Sequence, residues 1–243
     1  MAKALQAAVL LALATSNALA ASAPKRVIAP KVAPAPQPAT AAPKLAISEI
    51  MVDPTSPESD DQQTEWVEIH NYGEVPVKLA GCMLTSGTAA EPHALRQKYV
   101  FRDVTIKPQE YLVVGIGSES LYAPYGLPPF AAYCDEARYA WFTNTGDSVA
   151  IRDAKKNVID EVVYSSESPW PVSRNGSSIQ FLCPAGQDPQ TANDDGKNWV
   201  ASGASNSEEF KGHGRGTPGK PPKSPTTRMA STQPANSATA ARK

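Results

Sequence analysis

The sequence predicts an all-β fold class, an antiparallel sandwich, and three observations carry that prediction. Short apolar-alternating runs recur from residue 45 onward. Gly, Pro, Asn and Asp punctuate them. No run keeps a helical period over eleven residues. The runs are rich in β-branched and aromatic side chains, which suit a half-buried pleated surface.

The elements follow in order. Leu45–Met51 (LAISEIM) opens the series, with Leu45 and Ile47 on one face. Trp66–His70 (WVEIH) comes after an acidic loop. Val75–Leu84, Tyr99–Ile106 and Tyr111–Ile116 each read as a strand bounded by turn formers. Ser148–Arg152 and Val158–Tyr164 flank Asp153–Asn157, which has the place and composition of a hairpin loop. Ser178–Leu182 is the last run. Seven to nine short strands without a helix imply an immunoglobulin-like antiparallel β-sandwich. Two long segments, 85–98 and 117–140, interrupt the pattern, and loops of that length are often functional. The second carries Tyr122, Tyr125 and Tyr133, which makes these the candidate binding residues. It reads equally well as an ordered flap over apolar surface.

Residue distribution sets the domain limits. Every Trp, Tyr and Phe of the 243 residues lies between Trp66 and Phe210. A core needs large apolar side chains to offset the entropy of ordering the backbone. The folded part is therefore expected at 45–219. Charge divides the same way. Residues 45–200 hold 22 acidic and 11 basic side chains, whereas residues 1–44 hold five basic and no acidic ones. Residues 201–243 hold seven basic and two acidic ones. The formal net charge of −1 thus hides an acidic domain between basic arms. That excludes a strongly basic nucleic-acid binder, whose folded surface must attract phosphate. Nucleic acid is not an expected partner.

The arms have their own reading. Lys3, the apolar run Ala7–Ala14 and Ala18-Leu19-Ala20 form the pattern of a secretory signal peptide over 1–20. The run is too short to span a bilayer, so no transmembrane segment is expected. Residues 21–44 are an Ala/Pro-rich, extended linker, and 220–243 a disordered basic tail. The expected location is exported: periplasmic, cell-surface or secreted. Export permits disulfides, and three cysteines, Cys82, Cys134 and Cys183, allow at most one intramolecular bond.

The search for chemistry finds no catalytic set. His70, His93 and His213 are scattered, and the chain has neither G-x-S-x-G nor H-E-x-x-H. Glu65 and Glu68 flank Trp66 and are expected to be solvated edge residues. Two acidic loops are candidates for calcium, which takes several hard oxygens. One runs through Asp53, Glu58, Asp60 and Asp61. The other, the candidate metal site, is Asp188, Asn193, Asp194 and Asp195. An ordinary solvated turn explains either loop as well. No other cofactor is implied.

Several motifs together resemble the lamin tail domain family, in its exported bacterial form. Leu45-Ala-Ile-Ser-Glu-Ile-Met followed by Glu65-Trp-Val-Glu-Ile-His-Asn71 looks like that family's opening. Leu79-Ala-Gly-Cys-Met-Leu-Thr85, Ile106-Lys-Pro-Gln-Glu-Tyr-Leu-Val-Val114 and Thr143-Asn-Thr-Gly-Asp-Ser-Val149 are similar to later strands and turns. Asn198-Trp-Val-Ala-Ser202 and Gly216-Thr-Pro-Gly219 resemble its closing elements. The resemblance implies an immunoglobulin-like, non-catalytic interaction module. It thus implies a non-enzyme contacting protein or polysaccharide at the cell envelope or outside the cell. The alternatives are an accessory or degenerate domain serving an extracellular hydrolase, and a purely structural envelope component. Cys82 stands where the family has a core Trp, which implies a small buried core thiol. That leaves Cys134 and Cys183 as the disulfide candidate. Gln109 replaces the usual Gly of a turn, which puts the type of that turn in question.

Overall fold

A computed structural model describes residues 42–55, 64–128, 130–134, 141–172 and 176–223. The predicted signal peptide, the linker up to residue 41, residues 56–63 of the first acidic loop and the tail from residue 224 lie outside the described residues.

The strands are β1 (Leu45–Met51), β2 (Trp66–Asn71), β3 (Val77–Lys78), β4 (Met83–Ser86), β5 (Gln97–Val100), β6 (Thr105–Ile106) and β7 (Tyr111–Ile116). They continue as β8 (Ala132–Cys134), β9 (Gly146–Arg152), β10 (Val158–Ser165), β11 (Ile179–Phe181), β12 (Trp199–Ala201), β13 (Glu208–Phe210) and β14 (Gly214–Gly216). Among the described residues, two single-turn helices, α1 (Glu119–Tyr122) and α2 (Pro189–Ala192), and two 3-10 turns, Ala123–Tyr125 and Gly196–Asn198, depart from the all-strand pattern. A six-stranded sheet has the order β12-β11-β1-β2-β7-β8, and a four-stranded sheet the order β10-β9-β4-β5. Two short ribbons, β13-β14 and β3-β6, complete the set. Pairing among these strands is antiparallel except between β7 and β8.

The sandwich core lies between the two sheets. Leu45, Ile47, Ile50, Val67, Ile69 and Val114 meet Leu84, Val149, Ile151 and Val162, all buried. Burying each such side chain stabilises by about 1.5–3 kcal/mol. A bulge between Ile47 and Glu49 shifts the register of β1. Leu45, Ile47 and Ile50 can therefore all enter the core while Glu49 and Met51 turn to the other face of the sheet.

That other face is also covered. Met51, Trp66, Val113, Tyr122 and Phe130 form a second buried cluster, with Leu121, Leu127 and Tyr133 packed against it. The described residues of 117–134 thus form a flap across the large sheet that ends in its edge strand β8. A Cβ at Gly115 would come within 2.9 Å of Phe130, Tyr122 and Tyr133, so the rings rest on bare backbone there. The other long segment shortens to 87–96, because β4 and β5 extend into it. It is held by Ser148 Oγ donating to Pro92 O at 3.0 Å, and by Arg96 donating to Trp141 O and pairing with Asp147.

Two predicted strands are divided. Residues 75–84 break at a turn in which Cys82 N donates to Leu79 O and Gly81 takes a φ of 80°. Residues 99–106 become the end of β5 and all of β6. The hairpin loop 153–157 forms as predicted. Asp153 accepts backbone N–H bonds from Lys155 and Asn157, each at 2.8 Å.

Candidate functional site

Three buried carboxylate clusters and one surface cleft hold the concentrated polar chemistry of the described residues. The first cluster grows from the β1 bulge. Glu49 and Glu68 are directly opposed across β1 and β2, on the face away from the core. Each is only 1% exposed. The expectation that Glu68 is a solvated edge residue is therefore wrong, because β13, β14 and the chain after them cover this face. Thr217 Oγ1 donates to Glu49 Oε2 at 2.7 Å, and Thr217 N donates to Oε1 at 2.9 Å. Ser178 Oγ also donates to Glu49. Glu68 accepts from Ser48 Oγ and from Gly219 N, both at 2.7 Å. Burial pushes Glu49 up to about 7, against the hydrogen bonds from Ser178 and Thr217. Burial, then the charge of Glu49, holds Glu68 well above the usual carboxylate range. The closing segment Gly216–Gly219 is thus strapped down by two carboxylates. A Cβ at Gly216 would lie 2.8 Å from Glu49 Oε1.

The second cluster centres on Glu65, which is 5% exposed, again against expectation. Its carboxylate accepts from Trp141 N at 2.7 Å and Phe142 N at 3.3 Å. Burial raises it to about 8. Its backbone carbonyl accepts from the Tyr122 hydroxyl, which ties the flap to β2. Close by, Asp147 accepts from Arg96 Nη2 at 2.6 Å and Thr143 N at 3.2 Å.

The third cluster joins the sheets. Asp160 Oδ2 accepts from Ile47 N at 2.7 Å and Asn193 Nδ2 at 2.8 Å. The carboxylate replaces a strand partner for the amide at the β1 bulge. Burial pushes Asp160 up to about 7. Beside it a cleft of about 260 Å³ opens between β10 and α2, with Asp160, Glu161, Gln190 and Asp194 on its walls.

The sequence-predicted site residues are distributed differently from expectation. Tyr122 is buried, 2% exposed, and so is no surface binding residue. Tyr125 packs its ring 5.3 Å from that of His213. The Tyr133 hydroxyl accepts from Phe130 N at 2.9 Å. Both are half-buried parts of the flap.

The calcium residues diverge. Asp188 caps α2 by accepting from Gln190 N, and Asp195 accepts from Lys197 N. Asn193 is buried against Asp160 and Ile47, while Asp194 faces the cleft alone. No group of three His, Cys, Asp or Glu residues able to hold a metal occurs among the described residues.

No disulfide joins any two of the three cysteines. Cys134 ends β8, and Cys183 lies just past β11, at the far side of the large sheet. Four strand spacings, roughly 19 Å in all, separate those strands. A disulfide needs Cα atoms within about 7 Å. Cys82 is half-buried beside the core rather than inside it.

Sequence reasoning missed His213, which is fully buried. Its Nε2 donates to Thr64 O at 2.8 Å, and burial lowers it to about 4. Gln109, by contrast, was a legible signal. It keeps the left-handed turn, with a φ of 60°, and its Nε2 donates to Tyr72 O at 3.1 Å and Gly73 O at 3.2 Å.

Comparison with known proteins gives one family. The model described as Lamin Tail Domain matches residues 38–166, just over half of the chain. That span runs from before β1 to the end of β10 and leaves β11–β14 outside it. No curated protein matches.

Proposed function

The chain belongs to the lamin tail domain family, an immunoglobulin-like, non-catalytic domain type, and from that premise we propose that it is an exported, non-enzymatic binding module. On this reading it contacts protein or polysaccharide at the cell envelope or outside the cell. The observation that carries the reading is the pairing of this family with sheet edges that have no outer strand among the described residues. Strands β5 and β10 each pair on one side only. They carry Val100 and Val158, which are 45% and 43% exposed. Edges of this kind accept added strands and extended segments. The buried carboxylates support the same view. They hold the domain's own backbone amides and hydroxyls, so their role is to fix the surface that meets a partner.

Export rests on the charged, apolar and small-residue pattern of the first 20 residues. No described helix is long and apolar enough to cross a membrane.

Retention of the purified chain on isolated cell envelope tests the proposal. Binding that survives a salt wash is the expected result. Turnover of model esters, glycans or nucleic acids would overturn the non-enzymatic reading.

A further inference from the structure

We propose that the cleft beside β10 receives a lysine or arginine side chain, presented by an extended basic segment of a partner protein. The proposal rests on the interaction-module reading and names one contact within it.

Four observations converge on the cleft. Its walls are mixed: Val158, Ile159 and Val163 give apolar surface, and Asp160, Glu161 and Asp194 bring carboxylates. A long cationic side chain needs both, methylenes against apolar wall and its head on oxygen. Second, the negative charge is only partly answered from within. Glu161 faces Arg152 Nη2 at 3.5 Å and His93 Nδ1 at 3.3 Å. No described cation pairs with Asp160 or Asp194. Third, Asp160 is 3% exposed and spends Oδ2 on Ile47 and Asn193, while its Oδ1 has no hydrogen-bond partner. That oxygen is closed off from the cleft, so Asp160 adds negative potential at the wall, and Glu161 and Asp194 are the carboxylates a cationic head group would meet. Fourth, β10 is an edge strand. Gln190 Nε2 already donates to Ile159 O at 2.9 Å, so a partner backbone would pair from Glu161 onward. The acidic charge of residues 45–200 adds long-range attraction for such a segment.

The raised carboxylates fit this occupant. Burial and the charge of Glu161 raise Asp194, so the groups around the cleft repel one another when ionised. A bound cation would relieve that repulsion.

The test uses the full chain, labelled for nuclear magnetic resonance, and an acetyl-Ala-Lys-Val-Lys-Ala-amide probe. Shifts confined to residues 158–163 and 189–194 are expected. Asp194→Asn should bind the probe about threefold to fivefold more weakly. Glu74→Gln, which removes an exposed carboxylate elsewhere, should bind it normally. The probe acetylated on both lysines should lose binding. Equal binding of the acetylated probe, an unaffected Asp194→Asn variant, or shifts scattered over the acidic surface would each overturn the proposal. Self-association abolished by Asp194→Asn, with no probe binding, would give the cleft to a second copy and overturn the partner reading. Envelope retention is a separate readout, so failure of the cleft leaves the wider function standing.

Discussion

Asn71 offers a sharp test of how this sandwich is held. The residue ends β2 and is fully buried. Its Nδ2 donates to Val75 O at 2.9 Å, Lys107 O at 3.0 Å and Ile106 O at 3.1 Å. Its Oδ1 accepts from Gly73 N at 3.0 Å. One side chain therefore knits the turn after β2 to the turn before β7. Two N–H hydrogens serve three carbonyls, so one hydrogen is shared. Each such bond contributes about 1 kcal/mol net, and carbonyls left buried add to the loss. Asn71→Ala should thus destabilise by about 3–4 kcal/mol, a large part of the roughly 5–15 kcal/mol typical of a domain. Asn71→Asp has nearly the same shape but puts an oxygen, charged at pH 7, opposite the three carbonyls. It should cost about as much or more, roughly 4–5 kcal/mol. Urea unfolding followed by tryptophan fluorescence measures both, with an unchanged m-value confirming that only stability moved. Lowering the pH should narrow the gap as the new carboxyl gains a proton. An aspartate variant milder than the alanine variant at pH 7, or an alanine variant within about 1 kcal/mol of the parent, would refute the reasoning.

Other expectations follow from the same contacts. Burial raises Glu49 and Asp160 to about 7 and Glu65 to about 8, so the folded chain keeps protons that the unfolded chain has already released. The associated stability is fully present below the ordinary carboxylate values and is lost as pH rises through 7 to 8. Urea midpoints should fall between pH 5 and pH 8.5, and a rise would contradict the assignment. Glu68→Gln removes the charge facing Glu49, and the slope of midpoint against pH should flatten. Gly216→Ala places a methyl against Glu49 and Trp66 and should destabilise by about 1–3 kcal/mol. Hydrogen exchange should locate that effect at 214–219. A thiol reagent should modify exposed Cys183 first, Cys82 more slowly and buried Cys134 only on unfolding. Equal rates would refute the placement.

How far the sequence was legible depended on where each signal came from. β1, β2, β7, β9 and β10 follow from alternation within a single run, and each lies where its pattern placed it. The burial of Glu65 and Glu68 could not be read that way. A strand pattern gives two faces but does not say what covers the second. Here the cover arrives from Tyr122, Thr217 and Gly219, many residues along the chain. The pairing of Cys134 with Cys183 failed for a related reason. Residue types and spacing carry no strand order, and the order β11-β1-β2-β7-β8 keeps the two apart. Three-residue strands such as β13 and β14 are too short to show a period at all. The β10 cleft was half visible. Asp194 stands out within its acidic loop, but Asp160 and Glu161 lie inside the strand run Val158–Tyr164, whose pattern carries no sign of a cleft.

The strap over Glu49 and Glu68 also separates the span that the family model matches from the span that can fold. The family match ends at residue 166, whereas Thr217 and Gly219 supply amides to two carboxylates near the chain's first strand. Strands β11 and β12, on the open side of β1, also come after the match. A chain ended after Ser166 would carry all of the matched span. It would nonetheless uncover a pair of acids and leave β1 without its outer neighbour, an invitation to clump at neutral pH. The shortest autonomous piece of this protein therefore reaches at least to Gly219, well past the end of the matched span.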